Sequence, residues 1–188
     1  MRVISGTAKG RNLQSVPGDS TRPITDRVKS ALFSILSSQG MIEDRRFLDL
    51  FGGTGAVGIE ALSRGAASAV FCERDPAAVR TLRHNLEATR LAERGQVVAG
   101  DAFAYLGRVG LPTFDVIYIA PPQYHGIWLK ALQLVDARVD LLADGGLVIV
   151  QVFPKEWSDL PLDHLTLCDR RQYGSTTLCF YGRLPLIA

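Results

Sequence analysis

The chain is poor in the groups that hold metals or staple small secreted domains. Its three cysteines, Cys72, Cys168 and Cys179, form no Cys-x-x-Cys pair, and His84, His125 and His164 lie far apart. Neither set has the spacing of a zinc site or a disulfide framework, and an odd cysteine count fits free thiols in a reducing compartment. No apolar run approaches eighteen residues and no secretory hydrophobic segment opens the chain, so the expectation is a cytoplasmic protein without a membrane span or a bound metal. Low-complexity tracts and long charge blocks are missing, which argues against disorder. The net charge of +2 is too small to point to nucleic acid by itself. Internal repeats and linkers are also missing, and 188 residues suit one domain, residues 1–188, with residues 1–21 as an N-terminal hairpin or arm.

What is present is concentrated in Phe47-Leu48-Asp49-Leu50-Phe51-Gly52-Gly53-Thr54-Gly55-Ala56-Val57-Gly58. This reads as a buried strand, a glycine-rich turn and the start of a helix. Glycine lets the backbone approach a ligand where a Cβ would clash, and the helix start offers unpaired N–H groups. Glu73 closes the next apolar run, twenty residues after Gly53, which is the reach of a ribose hydroxyl on the neighbouring strand. An adenosine-type cofactor is therefore expected.

Gly53-x-Gly55-x-x-Gly58 matches the dinucleotide fingerprint, so NAD(P) has to be weighed. Asp49 argues against it, because a carboxylate at the strand end repels a pyrophosphate and suits the ammonium of a methionine-like moiety. Asp101 follows a third apolar strand, at the place where an adenine amine could be read. The length also leaves little room for a separate substrate domain. Asp49, Gly53, Gly55, Glu73 and Asp101 together resemble the S-adenosylmethionine (SAM) site of class I methyltransferases. The candidate cofactor shell is Asp49, Phe51, Gly52, Gly53, Thr54, Gly55, Glu73, Arg74, Asp101, Ala102 and Ala120. The competing reading of Asp49 and Asp101 is that they cap turns or helices.

The pattern predicts a helix over 26–38, whose stripe is Val28, Ala31, Leu32 and Ile35. Helices follow at 55–64, 76–91, 102–107 and 126–142, and strands at 69–73, 96–100, 114–119 and 146–153. Runs 164–172 and 176–183 flank Tyr173-Gly174-Ser175 as an antiparallel hairpin. Strand and helix in alternation imply an α/β, doubly wound, mostly parallel sheet with helices on both faces. Ligands in such sheets bind at the carboxyl ends of the strands. The glycine loop, Glu73, Asp101 and Ala120-Pro121-Pro122 all fall at such ends.

Four segments carry a family likeness: Met1–Gly6 with Lys9-Gly10-Arg11, Arg22-Pro23-Ile24-Thr25-Asp26-Arg27-Val28-Lys29, the glycine loop, and Tyr173-Gly174-Ser175-Thr176. In this order, over nearly the whole length, they resemble the bacterial 16S rRNA guanine-N2 methyltransferases, the RsmD group. The resemblance implies a class I, Rossmann-like methyltransferase fold and SAM as cofactor. It also implies transfer of a methyl group to the exocyclic amine of a guanine, with 16S rRNA or a small-subunit particle as partner. An amino-methyltransferase for another RNA or DNA and a SAM-retaining rRNA-binding factor without activity are the alternatives.

The segment aligned with the catalytic motif departs from the pattern of an acid or Asn, two prolines and an aromatic residue. Here Ala120 replaces the acid and Gln123 takes the aromatic slot, with Tyr124 one place later. The candidate catalytic residues are Pro121, Pro122, Gln123 and Tyr124. Proline stiffens the loop and donates no hydrogen bond, so Pro121 is a candidate carbonyl acceptor for the amine. Tyr124 is a candidate stacking platform. Arg2, Lys9, Arg11, Arg22, Arg27 and Lys29 crowd the first thirty residues against only Asp19 and Asp26, and are the candidate RNA contacts.

Overall fold

Four of the first five strands are largely apolar along their buried stretches, as strands covered on both faces must be. In the computed structural model, which describes residues 1–16 and 24–184, these are β1 (Arg46–Asp49), β2 (Ser68–Glu73), β4 (Phe114–Ile119) and β5 (Leu142–Val152), with a more exposed β3 (Gly95–Ala99) at the sheet edge. Each pairs parallel with its neighbour, and the order β3-β2-β1-β4-β5-β7-β6 places the reversal of winding between β1 and β4. Such a switch point opens a crevice at the carboxyl ends of the strands. The closing strands β6 (Leu165–Tyr173) and β7 (Thr176–Arg183) form the expected antiparallel hairpin, and β7 pairs antiparallel with β5.

Helices α1 (Asp26–Ser38), α2 (Ala56–Ser63) and α3 (Pro76–Thr89) contribute to one core, and α4 (Ala102–Leu106) and α5 (Ile127–Ala137) to the other. The sheet is thus covered on both faces, as the alternation predicts. Local chemistry sets the helix starts. Thr25 caps α1 through Val28 N–H, and Asp75 caps α3 ahead of Pro76. The predicted helix to residue 142 stops at Ala137, where Arg138 turns out to pair with Asp140 and a 3₁₀ turn, Val139–Leu141, follows. The last parallel strand begins at Leu142 rather than Gly146, but Phe114 faces Leu142 and Val116 faces Leu147, so residues 143–146 bulge out of the ladder.

The N-terminal arm departs most from its expected character as a peripheral hairpin. It does turn back on itself, with an antiparallel bridge between Arg2 and Asn12. Yet Val3, Ala8 and Leu13 are buried in the core beside α1 and α2. Its polar backbone is met by buried side chains: Glu60 on α2 accepts from Ile4 and Ser5 N–H, and Ser63 Oγ accepts from Ala8 N–H. Asn85 on α3 bonds the backbone of Gln14 on one side and Thr54 O of the glycine loop on the other. A Cβ on Gly6 would come within 1.8 Å of Ser63 O, so only glycine fits there.

Candidate active site

The glycine loop is shaped by two left-handed glycines. Gly53 has φ +51° and Gly55 φ +81°, where Gly55 starts α2 without a side-chain cap. A Cβ on Gly55 would strike Leu82 and Ile59, and one on Gly58 would strike the Phe71 ring, so these two glycines serve helix–sheet packing. A Cβ on Gly53 would meet nothing within 4 Å, and that open side lines a cleft of about 730 Å³ at the strand ends. Two carboxylates fix the loop from below. Glu73 accepts from Gly53 N–H and Asp75 N–H, each at 2.8 Å. Asp49 is almost fully buried and accepts from Phe51 N–H at 3.4 Å. Burial pushes the Asp49 carboxyl up to about 7, and the nearby charge of Glu73 pushes in the same direction.

Asp49, Phe51, Gly52, Gly53, Thr54, Glu73, Arg74, Asp101, Ala102 and Ala120 all line this one cleft; Gly55 alone of the predicted cofactor shell stands behind it. Asp101 also does what the competing reading expects: its Oδ1 caps α4 through Phe103 and Ala104 N–H. The cap engages one oxygen, and the residue still reaches the cleft wall. Pro121, Pro122, Gln123 and Tyr124 line the opposite end, so both predicted sets converge. Among the described residues no group of three or more His, Cys, Asp or Glu side chains could hold a metal ion.

The loop after β4 is held in an unusual shape. Tyr124 has φ +67° and is mostly exposed, with its ring tilted against Phe153 at 5.7 Å. Its N–H donates to Glu156 Oε1 at 2.5 Å. No acid occupies the position of Ala120; the loop's carboxylate neighbour is Glu156, on the segment after β5.

Several lining residues escaped the sequence reading. Tyr118, beside Asp49 in register, donates from its hydroxyl to Gln151 Oε1 at 2.5 Å, and burial holds the pKa of that hydroxyl well above its ordinary value. Gln151 is the lone polar residue in the run Leu147–Val152, and that break in an apolar strand was the available signal. Phe103 packs edge-on to Phe51 at 6.4 Å under the Lys130 ammonium. His125, Val16 and Ile24 also line the cleft; Ile24 lies in the Arg22–Lys29 segment that carries the family likeness, and nothing in the sequence context of His125 or Val16 marks them.

The predicted RNA contacts do not form one set. Lys9 and Arg27 are exposed. Arg2 is exposed but sits 3.6 Å from Asp26, and Arg11 donates to Ala88 O at the end of α3. Arg22 lies outside the described residues. Lys29 is a correction: it is fully buried, 3.5 Å from Glu60, and donates to Arg2 O at 2.6 Å. It fastens the arm to α1 and α2 and reaches no surface, because Glu60 needs a buried cation beside the Arg64 guanidinium.

The family model described as "Conserved hypothetical protein 95" matches residues 1–182. The chain is 36% identical to ribosomal RNA small subunit methyltransferase D of Escherichia coli K12, over 84% of this chain and 81% of that protein. It is 30% identical to the protein of the same name from Haemophilus influenzae, over 84% and 85%. The solved structure of a hypothetical protein from Thermus thermophilus matches with a TM-score of 0.80 and 36% identity, covering 96% of this chain and 98% of that one.

Proposed function

The chain belongs to the Conserved hypothetical protein 95 family, the RsmD group of methyltransferases, and from that premise we propose that it methylates the N2 amine of a guanine in small-subunit rRNA. The supporting observation is convergence: residues from the carboxyl ends of β1, β2, β3 and β4 line one cleft at the switch point of the sheet. The curated relatives are named as small-subunit rRNA methyltransferases, and a cytoplasmic protein acting on rRNA or on the assembling particle fits that reading.

The cleft suits SAM on its own chemistry. A bare backbone at Gly53, a buried carboxylate at Asp49 and acids at two neighbouring strand ends form a cradle for an amino acid joined to a nucleoside. Asp49 and the glycine-loop N–H groups would meet the methionine end, Glu73 the ribose and Asp101 the adenine edge. SAM supplies an electrophilic methyl group at its sulfonium.

The protein's task is then orientation. A guanine amine is a poor nucleophile because its lone pair is delocalised into the ring. Acceptors that fix its N–H bonds turn the lone pair toward the methyl group, and this kind of positioning is a large part of catalysis. Pro121 C=O and the Gln123 amide oxygen are the acceptors assigned to that role, with Tyr124 stacking on the base. Ala120 favours a second reading, a SAM-retaining rRNA-binding factor, because the usual acid is missing. Mass spectrometry of 16S rRNA from the host with and without the gene tests the reading. Loss of one N2-methylguanosine in the deletion is expected. An unchanged modification set would leave the binding-factor reading.

A further inference from the structure

Most arginines of this protein are used within it. Arg64 pairs with Glu60, Arg45 with Asp115 and Arg138 with Asp140, while Arg94 donates to the carbonyls of Leu62 and Ala66. Arg27, Arg74, Arg80, Arg83 and Arg90 have no such use among the described residues, and of these Arg74, Arg80 and Arg83 line one groove. All three are exposed, and none forms an ion pair among the described residues. Arg80 and Arg83 stand three residues apart on one face of α3. With Arg74 they line a groove of about 390 Å³ whose floor is Pro76, Val79, Ala99 and Gly100.

Among the described residues no carboxylate lines this groove. Asp75 is occupied in capping α3, and Glu87, one turn beyond Arg83, lies outside it. Glu87 continues the same face of α3 one turn on, so the helix face carries both signs; the distinguishing feature is that three cations and, among the described residues, no carboxylate line one concavity. Arg74 and Gly100 line the active-site cleft as well, so groove and cleft are continuous. β3 is the edge strand, which leaves the groove open at the side of the sheet. The span from the end of β3 to the Pro121 loop after β4 crosses three strand spacings, about 14 Å, a distance a few nucleotides can bridge. Guanidinium groups present forked donors that match phosphate oxygens.

We propose that the groove carrying Arg74, Arg80 and Arg83 holds the sugar-phosphate backbone of the rRNA beside the target base. This rests on the rRNA-methyltransferase reading and adds where the substrate strand runs. It adds phosphate contacts on α3 to the exposed Lys9 and Arg27 expected from the sequence, and replaces the buried Lys29.

The test is binding of full-length 16S rRNA transcript by the intact protein over a series of salt concentrations, for wild type, R80A/R83A and R80K/R83K. Removing one phosphate-binding cation should lower the log–log salt slope by roughly 0.7–0.9. The alanine pair is expected to reduce the slope by about 1.5, while the lysine pair, which keeps both charges, stays near wild type. Calorimetric binding of S-adenosylhomocysteine is expected to be equal in all three, which also certifies folding. A wild-type slope in an alanine pair that binds S-adenosylhomocysteine normally overturns the proposal. Methyl transfer by the wild type to the same transcript and to small-subunit particles is scored in parallel. Transfer with no slope change removes the groove and keeps the enzyme. A slope change with no transfer keeps the groove and removes the methylation reading.

Discussion

At the scale of single residues, Asp49 is held against its own preference. Its carboxyl is raised from 3.8 to about 7 by burial, so the folded chain keeps a proton that the unfolded chain has released. Stability should therefore fall as pH rises from about 4 to 7, by a ceiling of about 4 kcal/mol. Asp49→Asn is expected to melt higher than wild type at pH 8, with the gap closing toward pH 4, while binding SAM more weakly. Wild-type SAM affinity should improve from pH 6 to 7.5 as Asp49 ionises opposite the ammonium, and the Asn variant should lose that dependence; calorimetry at several pH values reads both. Glu73→Ala should weaken SAM by roughly 2–4 kcal/mol, since a ribose loses two charge-assisted acceptors; unchanged calorimetric affinity in a folded variant would remove Glu73 from the site. Lys29→Ala should cost roughly 3–5 kcal/mol in urea unfolding, because Glu60 keeps its buried charge with less compensation. The strand-end acids were legible because a carboxylate closing an apolar run has few structural excuses. Lys29 was misread because charge in a sequence carries no sign of burial.

At the scale of elements, two segments act as fittings around the cleft. The loop from Ala120 to His125 owes its shape to its neighbour after β5: Glu156 takes the Tyr124 N–H, and Phe153 backs the ring. A non-glycine residue at φ +67° stores on the order of 1–3 kcal/mol of strain. Glu156→Ala should let the loop relax, raising KM for rRNA several-fold with SAM affinity unchanged, and Glu156→Gln, which retains an acceptor, should restore most of it. Steady-state kinetics with each substrate varied in turn separates these effects. Tyr124→Ala should cost roughly 1–3 kcal/mol in base engagement if the ring stacks on the target. The arm is the second fitting, and Asn85 ties it to the glycine loop. Helices and strands were legible from apolar period and from caps such as Thr25 and Asp75. The arm was not, because its burial depends on Glu60, Ser63 and Asn85, tens of residues away, which receive its backbone groups.

At the scale of the whole molecule, winding order decides where chemistry can happen. The reversal between β1 and β4 puts Asp49 and Ala120 on either side of one crevice, with Glu73 and Asp101 one and two strands further out. That arrangement was readable as soon as strand and helix were seen to alternate. The groove proposed for the substrate strand was not, since Arg80 and Arg83 look like ordinary helix charges until the concavity beside them is seen. The central claim is that the chain methylates small-subunit rRNA although Ala120 stands where an acid is usual. Single-turnover transfer of labelled methyl from SAM to small-subunit particles lacking the modification measures this directly, with enzyme in excess over particles. Incorporation approaching one methyl group per particle by the wild type, strongly reduced in Glu73→Ala at SAM concentrations that only just saturate the wild type, is the predicted result. No incorporation by the wild type, with incorporation appearing in Ala120→Asp, would show that the natural protein binds rRNA without modifying it.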